Sequence, residues 1–237
     1  MTTWDDPAAV TAQYRDEANL RARQALWANV EGENAPVVLK RILASLRPVD
    51  VLEVGGGQGE LAEWMEEELA ANVTFVDQSE RMVELARARG IADARVGDVQ
   101  ELAFADATFD TVVAAWMLYH VRDLDRALTE AARVLAPDGR LVAVTGSTRH
   151  IEELRELYGT VLPEFEKQFN AENGEAILRR HFRDVVRIDV EVVAIVDDRD
   201  VLEAYRSSLS YETRPLPDEI PLPFRVHGRT TIFVATK

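Results

Sequence analysis

The sequence predicts an α/β fold organised around a doubly wound, mostly parallel sheet. Three observations carry that expectation. Short apolar runs alternate with amphipathic segments of helical period between residues 49 and 146. The first run ends in a glycine-dense turn, Gly55-Gly56-Gly57-Gln58-Gly59, and acidic residues, Asp77 and Asp98, stand just after the second and third. Regular strand–helix alternation implies parallel strands joined by right-handed crossovers, with helices on both faces.

Taken in chain order, the polar–apolar pattern predicts amphipathic helices over Pro7–Val30 and Pro36–Leu46, the second ended by Pro48. Val49–Val54 is an apolar run that reads as a buried strand, followed by a helix over Gln58–Ala70 with Leu61, Trp64, Met65 and Leu69 on one face. Asn72–Val76 is a second strand, and Ser79 is placed to cap a helix over Arg81–Arg89. Ala94–Gly97 and Phe109–Ala115 are the third and fourth strands. A helix over Leu124–Leu135 is stopped by Pro137, and Gly139–Gly146 is the fifth strand.

Beyond residue 147 the rhythm loosens. Helices are expected at Ile151–Val161 and Glu175–Phe182, a strand over Val185–Val196, and a helix over Arg199–Leu209 capped by Asp198. A proline-rich stretch (Pro215, Pro217, Pro221, Pro223) leads to a final strand over Thr230–Ala235. The whole reads as one domain: N-terminal helices over 1–47, a ligand-binding core over 48–146, and a substrate-side half over 147–237.

Composition narrows the chemistry. A chain of 237 residues can bury a substantial core. No apolar run approaches the roughly 18–20 residues that span a bilayer, and the acidic start Met1-Thr2-Thr3-Trp4-Asp5-Asp6 lacks a secretory layout, so a cytoplasmic location is expected. A net charge of −15, with 24 arginines and 3 lysines, disfavours a nucleic-acid partner, although Arg179-Arg180-His181-Phe182-Arg183 is a local basic patch. The chain has no cysteine, which removes thiolate nucleophiles and Cys-ligated metals, and its four histidines show no metal-ligand spacing. No metal site is expected.

Glycines between a buried strand and a helix permit tight bends and let a ligand approach the main chain. The turn alone does not name the ligand. Gly57-x-Gly59-x-x-Ala62 also fits a dinucleotide fingerprint with an acid about twenty residues on. Asp77 and Asp98 decide further: a carboxylate after the second strand can accept two ribose hydroxyls, and a side chain after the third can reach an adenine edge. Each Asp read alone can equally be a turn or cap residue.

Together, Glu53-x-Gly55-x-Gly57-x-Gly59, Asp77-Gln78-Ser79-x-x-Met82, Gly97-Asp98, Phe109-Asp110 and Arg133-Val134-Leu135-Ala136-Pro137-Asp138-Gly139-Arg140-Leu141 resemble the successive motifs of class I S-adenosylmethionine-dependent methyltransferases. The subgroup resembled is the one that includes the ubiquinone/menaquinone-biosynthesis enzymes. The resemblance covers about residues 49–146. It implies a Rossmann-like, doubly wound, mostly parallel seven-stranded sheet with an antiparallel final strand, N-terminal helices and a cap over the site. It also implies S-adenosylmethionine as cofactor and a small-molecule methyl acceptor as partner.

Carried over residue by residue, the resemblance implies that Gly55 and Gly57 approach the methionine part. Asp77 would bind the ribose hydroxyls, Gln78 and Met82 would flank the adenosine, and Asp98 with Val99 would hold adenine. Two positions depart from the pattern: Gly56, where a cysteine or similar small residue is common, and Asp138, where glycine is common. Trp116 would wall the pocket, and Tyr119 and His120 are candidates for acceptor contact or proton removal. The alternative makes Trp116 and Tyr119 core aromatics and His120 a helix-end residue. Tyr14 on the N-terminal helix is a candidate for the cofactor carboxylate, His150 a further candidate base, and Asn173-Gly174 either a ligand contact or a turn. An RNA methyltransferase and a nicotinamide-dependent oxidoreductase are the competing enzyme classes; a non-catalytic binder is a third possibility.

Overall fold

The computed structural model describes residues 17–160, 167–209 and 212–237, with side chains from residue 21 onward. Its strands are β1 (Val30–Glu31), β2 (Asp50–Val54), β3 (Asn72–Asp77), β4 (Asp93–Val96), β5 (Phe109–Ala115), β6 (Leu135–Gly146), β7 (Asp184–Val196) and β8 (Phe224–Thr236). The helices are α1 (Glu17–Ala25), α2 (Ala35–Leu46), α3 (Glu60–Leu69), α4 (Glu80–Ala88), α5 (Leu124–Val134), α6 (Glu152–Tyr158), α7 (Gly174–Leu178) and α8 (Arg199–Ser207), and Leu118–His120 forms a single 3₁₀ turn.

The strands form one sheet in the order β1-β7-β8-β6-β5-β2-β3-β4. From β6 to β4 all neighbours are parallel, whereas β8 runs antiparallel between β6 and β7. The chain moves outward from β2 to β3 and β4, then returns to β5 on the other flank of β2. That reversal leaves a crevice at the carboxyl ends of β2 and β5, where open α/β sheets bind ligands.

Strand alternation divides the core into two layers. Leu52, Val54, Val112, Ala114, Leu141 and Ala143 face α5, while Val51, Val73, Phe75, Val113, Val142 and Val144 face α2, α3 and α4. A third apolar cluster lies among α1, α6, α8 and the outer strands, around Leu26, Leu154, Tyr158, Leu202 and Val226. No helix among the described residues is long and apolar enough to cross a membrane.

Several boundaries differ from the sequence expectation. The described part of the N-terminal helix ends at Ala25, and Val30 lies in β1, an eighth strand antiparallel to the end of β7. Asn29 prepares this exit by accepting the Ile195 N–H at 2.9 Å. The fifth predicted strand begins at Leu135, directly after α5. Pro137 therefore sits inside β6, not beyond the helix. It occupies a shift in register between Phe109↔Leu135 and Thr111↔Arg140, where its missing N–H costs no ladder bond. β8 extends back to Phe224, which pairs with Val196 at the end of β7, and Arg225, His227 and Arg229 contact Glu31, Glu153 and Glu152. Ser79 stands at the N-cap of α4, but its side chain makes no capping bond. Asp198 does cap α8, accepting the Asp200 N–H at 2.8 Å.

Two motif residues support the scaffold from outside the crevice. The Asp110 carboxylate accepts the Val49 and Asp50 N–H groups at 2.8 and 2.9 Å, joining the starts of β5 and β2. The Arg133 guanidinium bonds Glu130, Asp106 and the carbonyls of Leu102 and Phe104. It thereby ties the chain that follows Asp98 to α5. Truncating it removes the guanidinium donor from two carbonyls and two carboxylates, Glu130 keeping only the Leu102 N–H, so Arg133→Ala is expected to cost about 1–3 kcal/mol. Urea unfolding should show a lower midpoint at unchanged slope; an unchanged midpoint would contradict this role.

Candidate active site

A cavity of about 1160 Å³ opens at the crevice and is lined by the glycine bend, the ends of β3 and β4, the segment after β5, and α1. This is somewhat more than the roughly 300–1,000 Å³ usual for a single small-molecule site, so the space suits a cofactor together with an acceptor.

The bend is dictated by sterics. Gly55 and Gly57 have φ of +64° and +60°, in the left-handed region where side chains are disfavoured. A Cβ on Gly55 would lie 2.8 Å from Cβ of Met117. A Cβ on Gly56 would lie 2.5 Å from Cδ of Glu53 and 2.6 Å from Phe75, so the glycine that departs from the family pattern is required here. At Gly57 the corresponding direction has nothing within 4 Å, which leaves main chain facing open space. The Gly55 N–H is donated to the Val76 carbonyl at 2.8 Å, pinning the bend to the end of β3.

Asp77 closes β3 beside this bend. Its Oδ1 accepts the Ser79 N–H at 2.8 Å, and the Gly57 N–H also bonds the carboxylate. Burial pushes its pKa above the ordinary aspartate value, with the Ser79 and Gly57 bonds acting in the opposite direction. The Gly97 N–H bonds the Asp77 carbonyl at 3.0 Å and brings the end of β4 alongside. Asp98 lies there, exposed, accepting the Gln100 N–H at 2.8 Å and its side-chain amide at 2.9 and 3.0 Å. Gln100 in turn accepts the Asp123 N–H at 2.9 Å, at the start of α5.

Gly55, Gly57, Asp77, Gln78, Met82, Asp98, Val99, Trp116 and His120 all line this one cavity. Trp116 holds a φ of +54°, uncommon for a bulky residue, while its N–H bonds the Val144 carbonyl at 2.9 Å. Tyr119 does not line the cavity. Its ring centroid lies 4.4 Å from that of His120, behind it. Tyr14 falls outside the described residues.

His150 is not part of the cavity wall. Its Nδ1 contacts the Arg229 backbone N and O at 3.0 and 3.1 Å, and burial pulls its pKa down to about 4. Asn173 starts α7 and bonds the backbone of Asn170 and Gln168, and a Cβ on Gly174 would meet Phe233 at 2.6 Å. That pair is a packed turn. The basic patch is likewise absorbed locally: Arg179 pairs with Glu175, Arg180 and His181 with Asp125, and Arg183 with Asp138 and Asp184.

Sequence reasoning missed several lining residues. Arg21 and Gln24 come from α1 at a spacing of three, and Met117, Gln100 and Arg122 from loops. The i, i+3 spacing on a polar helix face was the only signal for the first two. Glu53 is a motif letter in the sequence, yet it is fully buried directly beneath the bend, and burial raises its pKa to about 8.

Parts of the chain resemble known proteins. Residues 52–143 match the model of a family described as a methyltransferase domain. The chain is 37% identical over 102 residues to a ubiquinone/menaquinone biosynthesis C-methyltransferase of Rubrivivax gelatinosus, covering 41% of this chain and 39% of the relative. It is 38% identical over 120 residues to the 27-O-demethylrifamycin SV methyltransferase of Amycolatopsis mediterranei, covering 46% and 44%. It thus spans less than half the length of these curated relatives. A solved phosphoethanolamine N-methyltransferase 2 of Haemonchus contortus, bound to phosphomonomethylethanolamine and S-adenosylhomocysteine, aligns with a TM-score of 0.64 at 19% identity. That alignment covers 100% of this chain and 61% of that one. Residues 52–143 are therefore similar to a methyltransferase domain, and the chain shares the fold of that solved structure.

Proposed function

We propose that the chain transfers a methyl group from S-adenosylmethionine to a small-molecule acceptor by in-line displacement. The observation that carries this reading is convergence: bare main chain at Gly55–Gly57 and the carboxylates of Asp77 and Asp98 line a single cavity at the reversal point of the sheet. The relatives are a C-methyltransferase of ubiquinone/menaquinone biosynthesis and a methyltransferase of 27-O-demethylrifamycin SV, which supports a small molecule and leaves the accepting atom open. The ion-paired state of residues 179–183 offers RNA phosphates no unneutralised basic face.

S-adenosylmethionine supplies a methyl group already activated on a sulfonium, so the protein's work is alignment and exclusion of water. In this reading Asp77 accepts the ribose hydroxyls, and the N–H bonds it receives from Ser79 and Gly57 fix its direction. Gly55 and Gly57 let the methionine part lie against main chain. Gln78 and Met82 flank the adenosine; Asp98, oriented by Gln100, and Val99 hold the adenine. Trp116 walls the cavity. His120 contacts the acceptor and takes a proton where the acceptor must lose one. Tyr119, packed behind it, is a positioning residue. Tyr14 is retained as a candidate for the cofactor carboxylate. Residues 48–146 form the cofactor-binding core and 147–237 the substrate-side half.

Calorimetric titration with S-adenosylmethionine, S-adenosylhomocysteine and NAD tests the reading. The first two should bind, and binding of NAD alone would overturn it. Asp77→Ala should weaken cofactor binding at least tenfold, about 1.4 kcal/mol or more; unchanged affinity would show that the ribose assignment is wrong. For His120→Ala, intact cofactor binding with lost turnover on a panel of small acceptors is expected, and full activity would remove it from the reaction. Gly56→Ala should lower stability by about 1–3 kcal/mol through overpacking against Glu53 and Phe75, together with cofactor affinity. Wild-type behaviour in both measurements would refute the steric argument.

A further inference from the structure

Glu53 is the one acid in the buried layer of β2. It sits on the face shared with Val51, is 1% exposed, and packs under the glycine bend. One backbone thickness separates it from the cavity: Gly56 lines the cavity, and a Cβ there would stand 2.7 Å from Oε1 of Glu53. The groups facing it are few. The Ala62 N–H of α3 bonds its carboxyl, Phe75 of β3 covers it, and the Asp77 carboxylate of β3 repels it electrostatically. Its Oε2 is buried without a hydrogen-bond partner. Among the described residues no arginine, lysine or histidine forms an ion pair with it.

A carboxyl in such a place resists ionisation. Burial penalises its charged form, the neighbouring Asp77 adds to that penalty, and a single N–H bond offsets little of it. The missing element is a positive charge, and the proposed cofactor carries one that its demethylated product lacks. We propose that Glu53 is a charge-responsive positioning residue, neutral in the cofactor-free chain and ionised when the sulfonium cofactor binds across the glycine bend. Its proton passes from the carboxyl to solvent. The resulting carboxylate is stabilised by the cofactor's charge and holds the Ala62 N–H more tightly, which stiffens the start of α3 beneath the bend. With the demethylated product bound, the Glu53 carboxylate would lack that counter-charge, and return of its proton would favour product release. This rests on the methyltransferase reading and deepens it, because it makes Glu53 a determinant of preference for substrate cofactor over product.

The test is the number of protons released on binding, from calorimetry at pH 7 in two buffers of different ionisation enthalpy. The native chain should release over half a proton more per S-adenosylmethionine bound than Glu53→Gln does, and a smaller excess with S-adenosylhomocysteine. Subtracting the variant removes protons contributed by the ligand's own amino group. Equal counts in the two proteins, with binding intact, would overturn the proposal. Should the variant fail to fold, carbon-13 titration of the Glu53 carboxyl in the native chain decides. Its midpoint should lie near 8 without cofactor and fall by about 1.5 units or more with it. An ordinary carboxylate midpoint at the outset, or one that the cofactor does not move, would overturn it. Failure of S-adenosylmethionine to bind at all would instead defeat the methyltransferase reading, and this inference with it.

Discussion

Space for one missing side chain governs this site. The main chain at Gly56 passes between Glu53 and Phe75 below and the cavity above, with no room for even a methyl group. Because it passes there, Gly55 can reach the Val76 carbonyl, and Gly57 can bond Asp77 while exposing its backbone to the cavity. The position of Asp77 then fixes Gly97, and through it the start of the Asp98 turn. Moving the bend outward by the width of a methyl would disturb each contact in that sequence. Interiors packed to this density do not absorb such shifts locally.

The electrostatic design follows from the same crowding. Most of the acidic surface is solvated or bound to arginine, as in Arg89 with Glu60 and Glu63, or Arg133 with Glu130 and Asp106. For Glu53 and Asp77, both packed against the glycine bend, burial is the largest influence and raises the pKa. Two acids that resist ionisation thus lie where a cationic ligand is proposed to bind. The arginines of residues 179–183, which could have attracted polyanions, are neutralised by Glu175, Asp125, Asp138 and Asp184.

Much of the fold was legible because its signals are local. Alternating runs marked β2 to β5 nearly to the residue, and the glycines and strand-end acids of the site fall within a few residues of those runs. Features that depend on remote partners were not. Val30 looks like the tail of a helix until β7 supplies an edge for it to join. The start of β8 is disguised by Arg225, His227 and Arg229, polar side chains that make sense only beside Glu31, Glu153 and Glu152. Arg21 and Gln24 belong to the cavity solely because α1 is carried across the fold. Motif membership does not specify location. Asp110 and Arg133 belong to the same motif series as Asp77, yet one clasps the opposite ends of the strands and the other braces a loop. Tyr119 and His120 are adjacent in sequence, but the 3₁₀ turn presents only the second to the cavity.

A crystal structure of the chain with S-adenosylhomocysteine tests the central claim most directly. The account predicts both ribose hydroxyls on the Asp77 carboxylate, the amino-acid part against the backbone of Gly55–Gly57, and the adenine edge at Asp98 and Val99. A ligand seated elsewhere, or an Asp77 carboxylate turned away from the ribose, would contradict it.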